Sequence, residues 1–128
     1  MGYNMIDFQN KVLFKLSKIS VDSIADNIAP LLVPGETVIG AYKAIRDYVA
    51  FTDKRIIAVN VQGVTGKKKD FTTLPYSKIQ SFSVETSGTI DLDSELELYF
   101  SGLGRVKFEF TGSNDIVKIG QLISSFIL

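Results

Sequence analysis

Cysteine and histidine are both absent from this 128-residue chain, and only three prolines are present. Without cysteine there is no disulfide and no thiolate chemistry, so a reducing compartment is compatible with the chain. Without histidine, the commonest general base near neutral pH and the commonest transition-metal ligand are both missing. An excess of either charge is missing too, because 14 basic and 14 acidic residues cancel. A nucleic-acid binder ordinarily carries a basic excess, so no nucleic-acid partner is expected. No apolar run approaches the ~20 residues that cross a bilayer as a helix. Asp7, Lys11, Lys15 and Lys18 interrupt the first apolar positions and break any signal-peptide pattern. The chain begins Met-Gly, but Ile6 stands where the myristoylation pattern requires Ser or Thr. The expectation is a soluble cytoplasmic protein without a cofactor.

The apolar fraction of 45% is ordinary for a folded domain and argues against disorder. From about Phe8 to Ala29, apolar residues recur at helical steps: Phe8, Val12, Leu16 and Ile19, with Lys11, Lys15 and Lys18 opposite. This spacing predicts an N-terminal helical extension over residues 1–34. A break is expected near Ser20–Asp22, and Pro30 and Pro34-Gly35 end the segment.

Beyond Glu36 the period changes from 3.6 to 2, and residues 35–128 read as the main domain. Strands are predicted at Thr37–Ala44, Asp47–Thr52, Arg55–Val61, Lys69–Leu74, Lys78–Glu85, Glu95–Phe100 and Arg105–Phe110. Seven short strands separated by turns suggest an antiparallel bent barrel or orthogonal sandwich. Two registers keep the apolar faces of the last two strands together. Pairing Leu98 with Val106 sets Glu97 against Lys107, whereas pairing Leu98 with Phe108 sets Glu97 against Glu109. Opposite charges across strands contribute ~0.2–1 kcal/mol and like charges cost, which favours the first register. After Thr111-Gly112, Ser113 or Asn114 suits an N-cap. Ile116, Ile119, Ile123 and Phe126 then form the apolar stripe of a helix that closes the barrel.

Chemistry-bearing motifs are few. Gly63-x-x-Gly66-Lys67 is half of a phosphate-binding loop. Val61 replaces its first glycine, Lys68 replaces the Ser or Thr, and no helix follows to receive phosphate. An RNA-clamping loop of the same form needs flanking helices and is also rejected. Asp91, Asp93, Glu95 and Glu97 alternate, but an EF-hand needs glycine at Leu96 and glutamate at Gly102. They read as one acidic strand face. No nucleophile pair or ligand cluster accompanies them, so catalysis and metal binding are not expected.

Charge is nevertheless segregated along the chain. Lys43 to Lys78 holds eight basic and three acidic residues, and Glu85 to Glu97 holds five acidic and no basic ones. Such halves suit head-to-tail contacts between copies. The expected interaction surface comprises Lys67, Lys68 and Lys69, the acidic Asp91, Asp93, Glu95 and Glu97, and the helix face of Phe8, Val12 and Leu16. Exposed Tyr42, Tyr48 or Tyr99 would add apolar area. A competing expectation is an anionic lipid or phosphoanion bound through Lys43, Arg46, Lys54 and Arg55 together with the lysine run.

The local words Phe51-Thr52-Asp53-Lys54-Arg55-Ile56-Ile57, Gly63-Val64-Thr65-Gly66-Lys67-Lys68, Pro75-Tyr76-Ser77-Lys78-Ile79 and Phe82-Ser83-Val84-Glu85-Thr86-Ser87-Gly88 occur in one order. Together with the strand count and the closing helix, they resemble the bacterial branch of the pleckstrin homology (PH) domains over roughly residues 31–128. The resemblance implies a mainly β PH-like fold, an N-terminal helix ahead of the sheet, no enzymatic activity and a ring-like homo-oligomer. Eukaryotic relatives of the fold often bind phosphoinositide headgroups around the first hairpin. Here that hairpin offers only Lys43 and Arg46, so the resemblance does not extend to lipid binding.

Overall fold

The computed structural model describes residues 13–86 and 93–128. Seven of its strands follow the alternation in the sequence: β2 (Val38–Lys43), β3 (Tyr48–Thr52), β4 (Arg55–Gln62), β5 (Lys68–Pro75), β6 (Ile79–Thr86), β7 (Ser94–Phe100) and β8 (Gly104–Phe110). An eighth, β1 (Leu13–Ile19), precedes them. It is followed by short helical turns that include α1 (Ala25–Ile28), and α2 (Ile116–Ile127) closes the described chain. The strands make one sheet in the order β5-β4-β3-β2-β1-β8-β7-β6.

Strand β1 corrects the helix expected over Phe8–Ala29. Its last residues pair antiparallel with β2, Ser17 opposite Lys43 and Ile19 opposite Ala41. Its first residues pair parallel with β8, Leu13 opposite Phe108 and Leu16 opposite Phe110, across an irregularity. Lys15 takes the left-handed conformation at φ 59° within that irregularity. A bulge of this kind bends and twists a strand, and here it lets one strand serve both halves of the sheet. The sheet is therefore eight-stranded and mixed, not seven-stranded and antiparallel, and residues 13–19 of the segment read as an extension are built into it.

Helical spacing misleads here because both faces of the sheet are covered around β1. On a strand, residues three apart point to opposite faces. Leu16 is buried in the inner core with Tyr42, Phe51, Phe108 and Phe110. Ile19 packs on the outer face with Ile24, Ile28, Ala50 and Ile57. The turn-and-helix segment from Val21 to Leu32 supplies that outer cover. Strand β3 is consequently buried at all five of its positions.

Between β7 and β8 the register is the one expected: Leu98 opposite Val106 and Glu97 opposite Lys107. Strands β5 and β6 are the two free edges, and the Tyr76–Lys78 turn joins them. Helix α2 packs against this corner and β6. Ile116, Ile119 and Ile123 are buried beneath it, while Phe126 is 42% exposed and sets its ring 5.5 Å from that of Tyr76. Asn114 Oδ1 accepts from the Ile116 N–H at 3.1 Å at the start of the helix. Tyr42 fastens the same end, its Oη accepting from the Asp115 N–H at 2.9 Å.

Candidate interaction surface

Backbone pairing sorts the expected cations into two groups. Lys43 ends β2 and Arg46 lies in the following turn, both exposed. The turn between β4 and β5 carries Lys67, with Lys68 and Lys69 opening β5, all three exposed. Arg46 joins these hairpin ends by donating from Nη2 to the Gly63 carbonyl. Gly63 and Gly66 hold φ of +80° and +71°, which admits the tight turn presenting the lysines. Ile45 and Val64 stand fully exposed beside this basic corner.

Lys54 and Arg55 belong to the opposite end of these strands, so the four cations grouped as anion contacts do not form one site. Arg55 is moreover committed. Its Nε lies 2.9 Å from Glu36 Oε2 and its Nη2 lies 3.0 Å from Oε1. Nη1 donates to Thr73 Oγ1, and Nη2 also donates to the Leu31 carbonyl. The Glu36 side chain is completely buried, and it accepts further from Thr52 Oγ1 at 2.7 Å and the Val33 N–H at 3.1 Å. Burial by itself pushes its carboxyl up. The hydrogen bonds from Arg55, Thr52 and Val33, with the Arg55 charge, outweigh this and hold it at about 2. Glu36 and Arg55 thus tie the segment before β2 to the β3–β4 hairpin. No local pattern links the pair, because 19 residues separate its members.

A hollow of about 390 Å³ lies beside the basic corner, lined among others by Lys43, Arg46, Ser20, Asn27 and Tyr48. The Tyr48 hydroxyl is buried there without a hydrogen bond of ordinary geometry. Burial raises its pKa, and the neighbouring Asn27 side chain partly offsets this.

The acidic surface occupies the other half of the sheet. Register places Glu85 opposite Glu95 and Glu95 opposite Glu109, so three glutamates lie abreast on β6, β7 and β8. The favoured register avoids Glu97 against Glu109 but creates this row, which no single-hairpin reading brings into view. Lys107 lies 3.2 Å from Glu95 and 3.8 Å from Glu109. The Glu95 hydrogen bond and charge, followed by the charges of Glu109 and Glu97, raise the Lys107 pKa against desolvation. Glu97 meets Arg105 at 3.8 Å. Asp93 Oδ1 accepts from the Gly112 N–H at 2.8 Å. Asp91, Phe8 and Val12 lie outside the described residues.

Three apolar candidates for association are corrected by burial. Leu16 and Tyr42 are wholly enclosed and Tyr48 is 6% exposed, which leaves Tyr99, at 51%, as the accessible one of the three tyrosines. Burial also pushes the Tyr42 hydroxyl up to about 12. Among the described residues, no group of three or more acidic side chains is arranged to hold a metal ion. No described helix is long and apolar enough to cross a membrane.

The family description for the bacterial PH domain matches residues 7–127. The chain belongs to that family. A curated relative, YjqA of Bacillus subtilis (strain 168), described as an uncharacterized protein, is 41% identical over 92% of this chain and 96% of its own. A solved structure from Shewanella loihica PV-4, a DUF1696 family protein with a pleckstrin-homology domain, is 38% identical with a TM-score of 0.73. It covers 89% of this chain and 98% of its own. A pleckstrin homology domain from Shewanella amazonensis SB2B is 39% identical with a TM-score of 0.60, covering 88% and 91%. The eight-stranded mixed sheet closed by α2 is thus a PH-like fold, and no enzymatic family is indicated for this bacterial PH domain.

Proposed function

We propose that this bacterial PH domain is a non-enzymatic scaffold or adaptor that binds copies of itself head to tail and closes into a ring. The observation that carries this reading is the segregation of charge between the two halves of the sheet, basic toward edge strand β5 and acidic across β6, β7 and β8. Lys68 and Lys69 open edge strand β5, while Glu85 lies near the end of edge strand β6. Unlike edges favour a heterologous contact, which leaves one surface of each kind open until a ring closes. Light scattering coupled to size-exclusion chromatography tests it. A mass several times the 14.1 kDa of one chain is expected at tens of micromolar, and a monomer there rejects the reading.

A second reading rests on the exposed Ile45 and Val64, which stand among Lys43, Arg46 and Lys67–Lys69 at one corner. Apolar tips ringed by cations suit an anionic lipid surface, and the hollow beside Tyr48 suits a phosphate group. On this reading the protein pellets with phosphatidylserine-containing vesicles and is released by salt, because screening weakens exposed charge contacts. Absence of salt-sensitive pelleting rejects it.

A further inference from the structure

We propose that the hollow beside Tyr48 binds the phosphate of a phosphomonoester, held by Lys43, Arg46 and the Tyr48 hydroxyl. The site rests on the anion-binding part of the second reading and names the chemistry of its occupant. Lys43 stands directly opposite Tyr48 across the β2–β3 pair, so both side chains leave the same face of the sheet. That face is the outer one, because Tyr48 packs there with Ile19 and Ile24, which also line the hollow. The remaining lining comes from residues 19–27, which contribute Ser20 and Asn27 as polar groups. The pocket therefore lies between the sheet and its outer cover, on the side away from the inner core.

Two independent observations point to an anion. Tyr48 is 6% exposed, and its hydroxyl has no hydrogen-bond partner of ordinary geometry among the described residues. A buried phenol is seldom left unpaired, and its proton suits an acceptor oxygen. The lining also carries two cations and no carboxylate. Asp22, Asp26 and Asp47, the nearest acidic residues along the chain, are not part of it. Arg46 uses one N–H on the Gly63 carbonyl, which positions the guanidinium without cancelling its charge. Two positive charges match the dianion of a phosphomonoester, and hydroxyl, amide and guanidinium donors match its several oxygens. A metal cation has the wrong sign for this lining. Ile19 and Ile24 favour an ester with a carbon skeleton over inorganic phosphate, and about 390 Å³ leaves room for both parts.

The test titrates the full chain with glycerol 3-phosphate at low salt, following backbone amides by nuclear magnetic resonance. In parallel, the chain is pelleted with phosphatidylcholine vesicles carrying phosphatidic acid, a lipid phosphomonoester, or phosphatidylserine at matched surface charge. Saturable shifts confined to residues 19–27 and 43–48 are expected with glycerol 3-phosphate. Preferential pelleting on phosphatidic acid without those shifts identifies a lipid source for the same group. Tyr48→Phe removes only the hydroxyl and is expected to weaken phosphomonoester binding about tenfold. Circular dichroism verifies its fold, and Arg46→Gln, at an exposed position, is a second variant expected to act in the same direction. Phosphomonoester binding unchanged in both variants, or absent from both sources, overturns the pocket. Equal pelleting on the two anionic lipids, unaffected by Tyr48→Phe, overturns the pocket and leaves the lipid-surface reading standing. If glycerol 3-phosphate binds through Tyr48 while no vesicle pellets the chain, the pocket stands and the lipid-surface reading falls.

Discussion

Replacing Glu36 with glutamine is expected to lower the unfolding free energy by about 3–5 kcal/mol, the usual cost of breaking a buried ion pair from one side. The substitution leaves Arg55, whose side chain is 17% exposed, without its charged partner. It also replaces one of two oxygens that together accept from Arg55, Thr52 and Val33. Against a typical total stability of ~5–15 kcal/mol, this is a large fraction. Urea unfolding at neutral pH measures it as a lower midpoint without a change in slope.

The same residue predicts a pH dependence. The Glu36 carboxyl lies at about 2 in the folded protein, against an ordinary value of 4.5. Between those values the unfolded chain binds more protons than the folded one, so stability falls as pH falls through that window. The contribution is fully present above 4.5 and gone below about 2. It amounts to roughly 3 kcal/mol. The stability gap between wild type and Glu36→Gln is therefore expected to narrow steadily on acidification. A gap that stays constant down to the acid limit contradicts this account.

Phe110→Ala is expected to cost about 3–5 kcal/mol, the range for truncating a well-packed aromatic side chain. Phe110 is buried, with its ring 4.8 Å from Tyr42 and 6.2 Å from Phe51. Its backbone lies opposite Leu16 on one side and Ser94 on the other, where the two halves of the sheet meet. Removing the ring also undermines Tyr42, whose hydroxyl holds the Asp115 N–H at the start of α2. Loss of near-ultraviolet circular dichroism in step with the lowered midpoint is expected. Val117→Ala, on the exposed side of α2, serves as the comparison and is expected to stay within about 0.5 kcal/mol.

Much of the sheet was legible because its signals are local. Alternation marked β2 through β8, and the turn residues between them set their limits. Glu97 and Lys107 identified the register of the last hairpin, since only one of two apolar-compatible pairings opposes unlike charges. The stripe of Ile116, Ile119 and Ile123 marked the buried side of α2. Strand β1 was not legible. Leu16 and Ile19 have helical spacing, but they enter cores on opposite faces of a sheet whose outer cover is not evident from the strands themselves.

The charged residues divide along the same line. Their segregation into a basic and an acidic half was visible by counting, but their grouping was not. Arg55 counts among the basic residues along the chain, yet burial beside Glu36 claims it. Glu109 was outside the acidic set until pairing across β7 brought it beside Glu95 and in line with Glu85.

Periodicity and turn chemistry, which act over a few residues, were enough to establish a mainly β chain ending in an amphipathic helix. Folding in three dimensions decided that β1 bridges the two halves, that Glu36 locks onto Arg55, and that three glutamates share one row. Those outcomes depend on pairing and burial between residues far apart in the chain, where no local pattern specifies the partner.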